Sequence, residues 1–104
     1  MTREAPTGHV DLLLLSVLDD GAAHGYRLVE VLRERSSGAF DLAEGTLYPA
    51  LYRLERKGLV ASSWEIVSSR RRRLYRLTRR GQSALADQRS EWRQFAAAMD
   101  AVVG

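Results

Sequence analysis

The densest chemistry in this chain is guanidinium. Between Arg70 and Arg80 stand seven arginines and no carboxylate, whereas acids and bases are mixed elsewhere. Cations crowded onto one short segment suit a polyanion, because each can neutralise a phosphate and release its condensed counterion. The plainer use of such a run is a solvated basic face. The formal net charge of +3 permits a polyanionic partner without identifying one. Lys57 is the only lysine, a bias that a GC-rich coding sequence would also produce. The arginines therefore count here only as positive charges at positions.

Other reactive groups are sparse. The chain has no cysteine, which excludes disulfides, thiolate metal sites and cysteine nucleophiles. His24 has no second ligand at a metal-binding spacing, since His9 falls in a different helix, so capping or packing is the expected use and no metal site is read. Glu55 reads as an i, i+4 or interhelical ion-pair partner. Tyr26 reads as a packing aromatic; Tyr48 lies on the flank of a helical stripe and suits either packing or recognition. No nucleophile–base pair or glycine-rich phosphate loop is visible, so the chain does not read as an enzyme and no cofactor is expected. Nor is there an apolar run of membrane-spanning length. Met1 to Pro6 lacks the apolar stretch of a signal peptide, and a cytoplasmic protein without a membrane partner is expected.

The elements that position these groups can be read from periodicity. At 104 residues with 45% hydrophobic content the chain supports one small core. Residues 1–7 read as a flexible tail. The run from His9 to Leu18 is too apolar for a one-sided surface helix and reads as a buried one, stopped by Asp19-Asp20-Gly21. A second helix fits His24 to Arg35, with Tyr26, Val29, Leu32 and Leu28 as its apolar stripe and Ser36-Ser37-Gly38 as its stop.

A third helix lies within Leu42 to Lys57, where Leu47, Leu51 and Leu54 make one inward stripe. Its sequence admits more than one start. Asp41 to Glu44 resembles a capping box, Pro49 favours a cap near Thr46, and a distorted first turn would reconcile both. Gly58 suits the C′ position. Strands are expected over Val60–Val67 and Arg72–Leu77, with Ser68–Arg71 as the loop of a hairpin. Thr78 then caps a helix running to about Val103. In that helix Leu85, Trp92 and Met99 are seven apart, with Phe95 and Val102 at complementary positions and Gln88 as the weak point.

Three helices, a hairpin and a long helix are the order of a winged helix-turn-helix, mainly α with a two-stranded β-hairpin and a long C-terminal dimerisation helix. Residues 8–78 would form the DNA-binding domain and 79–104 the dimerisation helix. With the leucine stripe inward, Thr46, Pro49, Arg53, Arg56 and Lys57 lie toward the opposite side, suited to base edges and phosphates in a major groove. Arg70, Arg71, Arg72, Arg73 and Arg76 would face the backbone. The heptad residues Leu85, Trp92, Phe95, Met99 and Val102 would meet a second copy. Trp92 and Phe95 could also line an effector cavity between subunits, stacking on flat ligands.

The motifs themselves are similar to those of the short-form PadR family of transcriptional regulators. They are His24-Gly25-Tyr26, then Glu44-Gly45-Thr46-Leu47-Tyr48-Pro49-Ala50-Leu51, Arg53-Leu54-Glu55 and Gly58-Leu59-Val60. Arg71-Arg72-Arg73, Tyr75-Arg76-Leu77-Thr78 and Gly81 follow, so the resemblance covers about His9 to Met99. It implies a homodimeric repressor of a double-stranded operator, released in several members by a small aromatic or cationic compound. Carried over by position, Thr46, Tyr48, Pro49 and Arg53 would face the groove and the wing arginines would touch phosphate. Ser69 and Arg70 stand where the family often has Gly-Pro, and Leu74 where it often has a first tyrosine, which implies a more flexible and more basic wing tip. A winged helix that binds a protein partner instead of DNA is the alternative left open.

Overall fold

The apolar first helix is the hub of the molecule. In a computed structural model describing residues 7–104, with side chains from His9 onward, α1 spans Thr7–Leu18. The tail expected over residues 1–7 lies outside the described residues except Thr7, which opens α1. Val10, Leu14, Leu15, Val17 and Leu18 are all buried, which is why this helix shows no single apolar face. Each such leucine contributes about 1.5–3 kcal/mol relative to exposure.

Around it pack α2 (Gly25–Arg35), α3 (Glu44–Arg56) and the start of α4 (Arg79–Val103). Helix α2 contributes Leu28 and Leu32 to the core, and α3 contributes Leu47, Ala50, Leu51 and Leu54. Both helices stop by the same device. Behind α2, Ser37 adopts φ +53° and Gly38 donates its N–H to the Arg33 carbonyl. Behind α3, Gly58 sits at φ +76° and Leu59 donates to the Leu54 carbonyl. These left-handed residues return the last carbonyls to hydrogen bonding, as expected of Gly58.

The start of α3 is neither of the two expected. Ala43 takes the cap position with no side-chain cap bond, and Thr46 and Leu47 both donate to its carbonyl. Asp41 is engaged instead with Arg33 of α2, at 2.7 Å. Pro49 therefore lies in the second turn, where it withholds an N–H from the Gly45 carbonyl. Gly45 is exposed, so water can serve that carbonyl and the interruption is tolerated.

The sheet holds one strand more than the expected hairpin. Strand β1 (Ala23–His24) pairs antiparallel with β3 (Arg70–Leu77), and β3 pairs on its other edge with β2 (Val60–Val67). The β2–β3 register runs from Val60 opposite Leu77 to Val67 opposite Arg70. Strand β3 thus begins at Arg70, and the expected loop over Ser68–Arg71 shrinks to a tight turn of Ser68 and Ser69. Both serines have positive φ, +51° and +64°. A hairpin turn of this hand normally carries Asn-Gly, because other L-residues cost about 1 kcal/mol or more each there. Changing Ser68→Asn and Ser69→Gly together is therefore expected to stabilise the fold by about 1–2 kcal/mol. A thermal melt checks this; an unchanged or lower midpoint would mean that the serines carry no strain.

Thr78 caps α4 as expected: its hydroxyl accepts the Gly81 N–H at 3.0 Å and donates to the Gly58 carbonyl at 2.7 Å. Gly81 and Leu85 in the first turns of α4 are buried. Leu85, expected in the intersubunit seam, is only 1% exposed and belongs to the chain's own core. The rest of α4 continues outward, giving a helix of 25 residues, about 37 Å long.

Candidate nucleic-acid interface

Helix α3 presents the face opposite its leucines. Gly45, Pro49, Tyr52 and Arg56 recur at helical spacing and are all exposed, with Tyr48 on one flank and Arg53 and Thr46 on the other. Lys57, just past the helix, is also exposed. Tyr52 is 61% exposed and was missed from sequence, although its position between Pro49 and Arg56 was signal enough. Its ring lies 5.8 Å from the Arg56 guanidinium, and its hydroxyl accepts from Arg56 at 3.3 Å.

Tyr48 shows why two tyrosines so close in sequence differ. Its hydroxyl reaches toward Gly25 at the start of α2, where an added Cβ would stand 2.7 Å from that oxygen. A glycine there lets the ring cross the α2–α3 junction, while the Tyr48 side remains 45% exposed. Arg53 turns the other way, toward α1, where its Nη2 lies 3.2 Å from Asp11 Oδ1.

The wing arginines divide into two groups. Arg70, Arg71 and Arg76 are exposed, with no carboxylate within ion-pair range among the described residues. Arg71 stacks its guanidinium 4.5 Å from the Trp64 ring centre. Arg72 and Arg73, also expected as phosphate contacts, are engaged within the protein as well, Arg72 partly buried and Arg73 still exposed. Arg73 donates to Ser62 at 2.8 Å, lies 3.6 Å from Glu55 and stands 5.0 Å from the Trp64 ring. Arg72 lies over the Tyr26 ring at 5.0 Å, and its Nε is buried without a hydrogen-bond partner among the described residues. Glu55 thus pairs with the wing rather than with a helical neighbour. Tyr26, expected as a packing aromatic of core or boundary, is half exposed and packs between the His24 ring and the Arg72 guanidinium.

These contacts tie the wing to the helix-turn-helix. His24, before α2, stacks on Tyr26 with the rings 6° apart and places Nε2 2.7 Å from Glu65 of β2. Tyr75 of β3 is buried behind Arg73. Burial pushes its phenol above the ordinary tyrosine range, with the Arg73 charge acting in the opposite direction. Tyr48, Tyr52, Arg56, Arg73 and Tyr75 consequently border one continuous depression between α3 and the wing. Among the described residues no cluster of side chains could hold a metal ion, and no helix is long and apolar enough to cross a membrane.

The expected seam on α4 is partly realised as surface. Trp92, Phe95, Met99 and Val102 lie along one stripe and are between 45% and 86% exposed. Trp92 meets His9 of α1 edge to face at 5.6 Å and Phe95 at 5.9 Å.

Residues 14–87 match the family model of the PadR-like transcriptional regulators. The chain belongs to the PadR family. Among curated relatives of this PadR protein, the transcriptional regulator Rv3488 of Mycobacterium tuberculosis is 37% identical over 94 residues, covering 90% of this chain and 85% of the relative. A solved PadR family transcription regulator from Clostridium difficile superposes with a TM-score of 0.82 at 35% identity, covering 93% of this chain and 100% of that one. A transcriptional regulator from Clostridium thermocellum gives a TM-score of 0.86 at 30% identity, with 93% and 95% coverage. These PadR comparisons make the chain a regulator of transcription and not an enzyme. They also agree with the fold above, four helices with a winged sheet.

Proposed function

We propose that this PadR protein is a cytoplasmic repressor that binds a palindromic operator as a homodimer and is released by a small aromatic or cationic compound. The observation that carries the reading is one surface shared by two elements. The exposed face of α3 and Arg73 of the wing border the same depression, with Arg73 held there by Glu55 and Ser62. A helix of this width fits a major groove, with the hairpin along the flanking backbone. In this docking Pro49, Tyr52 and Arg56 are central. Thr46, Tyr48 and Arg53 lie on the flanks, Lys57 lies at the rim, and Arg70, Arg71 and Arg76 meet phosphates. Arg72 and Arg73 position the wing.

The unpaired stripe of α4 supports the dimer. Four large apolar side chains on one face, beginning where the chain's own core ends, form the kind of patch that a second copy covers. Residues 8–78 with the first turns of α4 would then read DNA, and the remainder of α4 would join the subunits. The effector site would be the cavity of about 440 Å³ between α1 and α4, where His9, Trp92 and Phe95 offer aromatic surface beside Asp11 and Glu91.

Salt titration of operator binding tests the wing assignment. Changing Arg70→Ala and Arg71→Ala is expected to weaken binding to all DNA sequences alike. The slope of log affinity against log salt should fall by about 0.9 for each phosphate that is no longer neutralised. An unchanged slope would remove these arginines from the interface. Failure of the unaltered protein to shift DNA from upstream of its own gene would favour the protein-partner alternative instead.

A further inference from the structure

We infer that Asp11 is a shared carboxylate: it anchors Arg53 of the reading helix when the α1–α4 cavity is empty, and turns toward a ligand's positive charge when the cavity is filled. This rests on the effector reading of that cavity and supplies the means by which filling it alters DNA binding.

Asp11 occupies a singular place. It is the one buried charged side chain of the described core, 9% exposed. On one side its Oδ1 meets Arg53 Nη2 at 3.2 Å, a contact between residues 42 apart in sequence. Arg53 is the only cation within ion-pair range of it among the described residues. On the other side Asp11 lines the cavity with His9, Gln88, Glu91, Trp92 and Phe95. A single carboxylate therefore joins the wall of the cavity to a residue on the flank of α3.

The electrostatics give this position a consequence. A buried carboxylate is costly unless paired, so Asp11 holds Arg53 and draws α3 against α1. The charged groups facing Asp11 from the neighbouring elements are Glu91 of α4 and Arg53 of α3, with the His9 imidazole on its own helix. Two carboxylates beside Trp92 and Phe95 favour a flat organic cation. Once such a cation sits beside Asp11, its charge satisfies the carboxylate and repels the guanidinium across the same few ångströms. Arg53 is then free to swing, and α3 loses its only ion-pair tether to α1 among the described residues. Linkage requires the reverse as well: operator DNA must weaken cation binding by the same factor.

The test uses N-methylquinolinium as the probe and quinoline, uncharged at pH 8, as its neutral counterpart. It compares the full chain with an Asp11→Asn variant, which preserves shape and removes charge. By titration calorimetry N-methylquinolinium is expected to bind the wild type and to bind Asp11→Asn about tenfold more weakly, the scale of one charge-assisted contact. Quinoline should not distinguish the two proteins. By fluorescence anisotropy on operator DNA, saturating N-methylquinolinium should lower wild-type affinity by about tenfold. The Asp11→Asn protein should start at that lowered affinity and not respond. In the wild type alone, with no substitution needed, the Arg53 side-chain Nε–H resonance should move on adding the cation. A resonance that stays in place overturns the proposal. If the cation binds and lowers operator affinity equally in both proteins, the cavity remains an effector site and Asp11 is not its link to α3. If the cation does not bind the wild type, the effector reading itself falls, and the shared-carboxylate proposal with it.

Discussion

Replacing Trp92 and Met99 together by aspartate is expected to leave a folded monomer whose operator affinity has dropped by about 10³-fold or more. Both side chains are roughly half exposed on a helix whose preceding turns are already buried in the core, so their removal leaves the domain intact. At two positions one heptad apart the proposed seam would have to bury carboxylates in place of apolar side chains. Without a dimer each α3 must bind its half-site alone, and affinity falls toward the non-specific level, about 10³-fold or more below specific binding. Sedimentation and anisotropy on the same sample check both halves. A variant that still sediments as a dimer would move the subunit contact away from α4.

Gly81→Ala should be the most destabilising single methyl in the protein, costing about 3 kcal/mol. A Cβ there would stand 2.0 Å from the Leu59 carbonyl oxygen and 2.7 Å from Leu77 Cδ1. The leucine methyl could rotate away, but the carbonyl is fixed. It accepts the Thr78 N–H at 3.1 Å, while Thr78 itself caps the helix through Gly81. Relieving the clash therefore breaks the junction of β2, β3 and α4 together. Chemical denaturation reads the effect directly; a change under about 1 kcal/mol would mean that the helix can slide outward without cost.

What could be read from sequence was what local chemistry decides. The Leu47, Leu51 and Leu54 stripe, the Gly58 stop and the Thr78 cap depend on neighbours a turn or two away, and each lies where its spacing placed it. Strand β1 could not be read, because two residues, Ala23 and His24, become a strand only through pairing with Tyr75 and Leu74. Leu85 was misassigned because it shares a stripe with Trp92 and Met99. Periodicity reports a face, and only packing shows where the core beneath that face ends. Arg53, Arg72 and Arg73 looked like free cations because Asp11, Tyr26 and Glu55 are distant in sequence. The wing turn was obscured by its serines, which adopt a conformation that their residue type disfavours.

In the proposed complex two copies present two α3 helices to one duplex. A hydroxyl-radical footprint of the purified protein on DNA upstream of its own gene reports that arrangement. Two symmetrically related protected patches are expected, their centres about one helical turn, roughly 34 Å, or a multiple of it apart. A single patch without a two-fold mate, or protection spread evenly along the fragment, would contradict it.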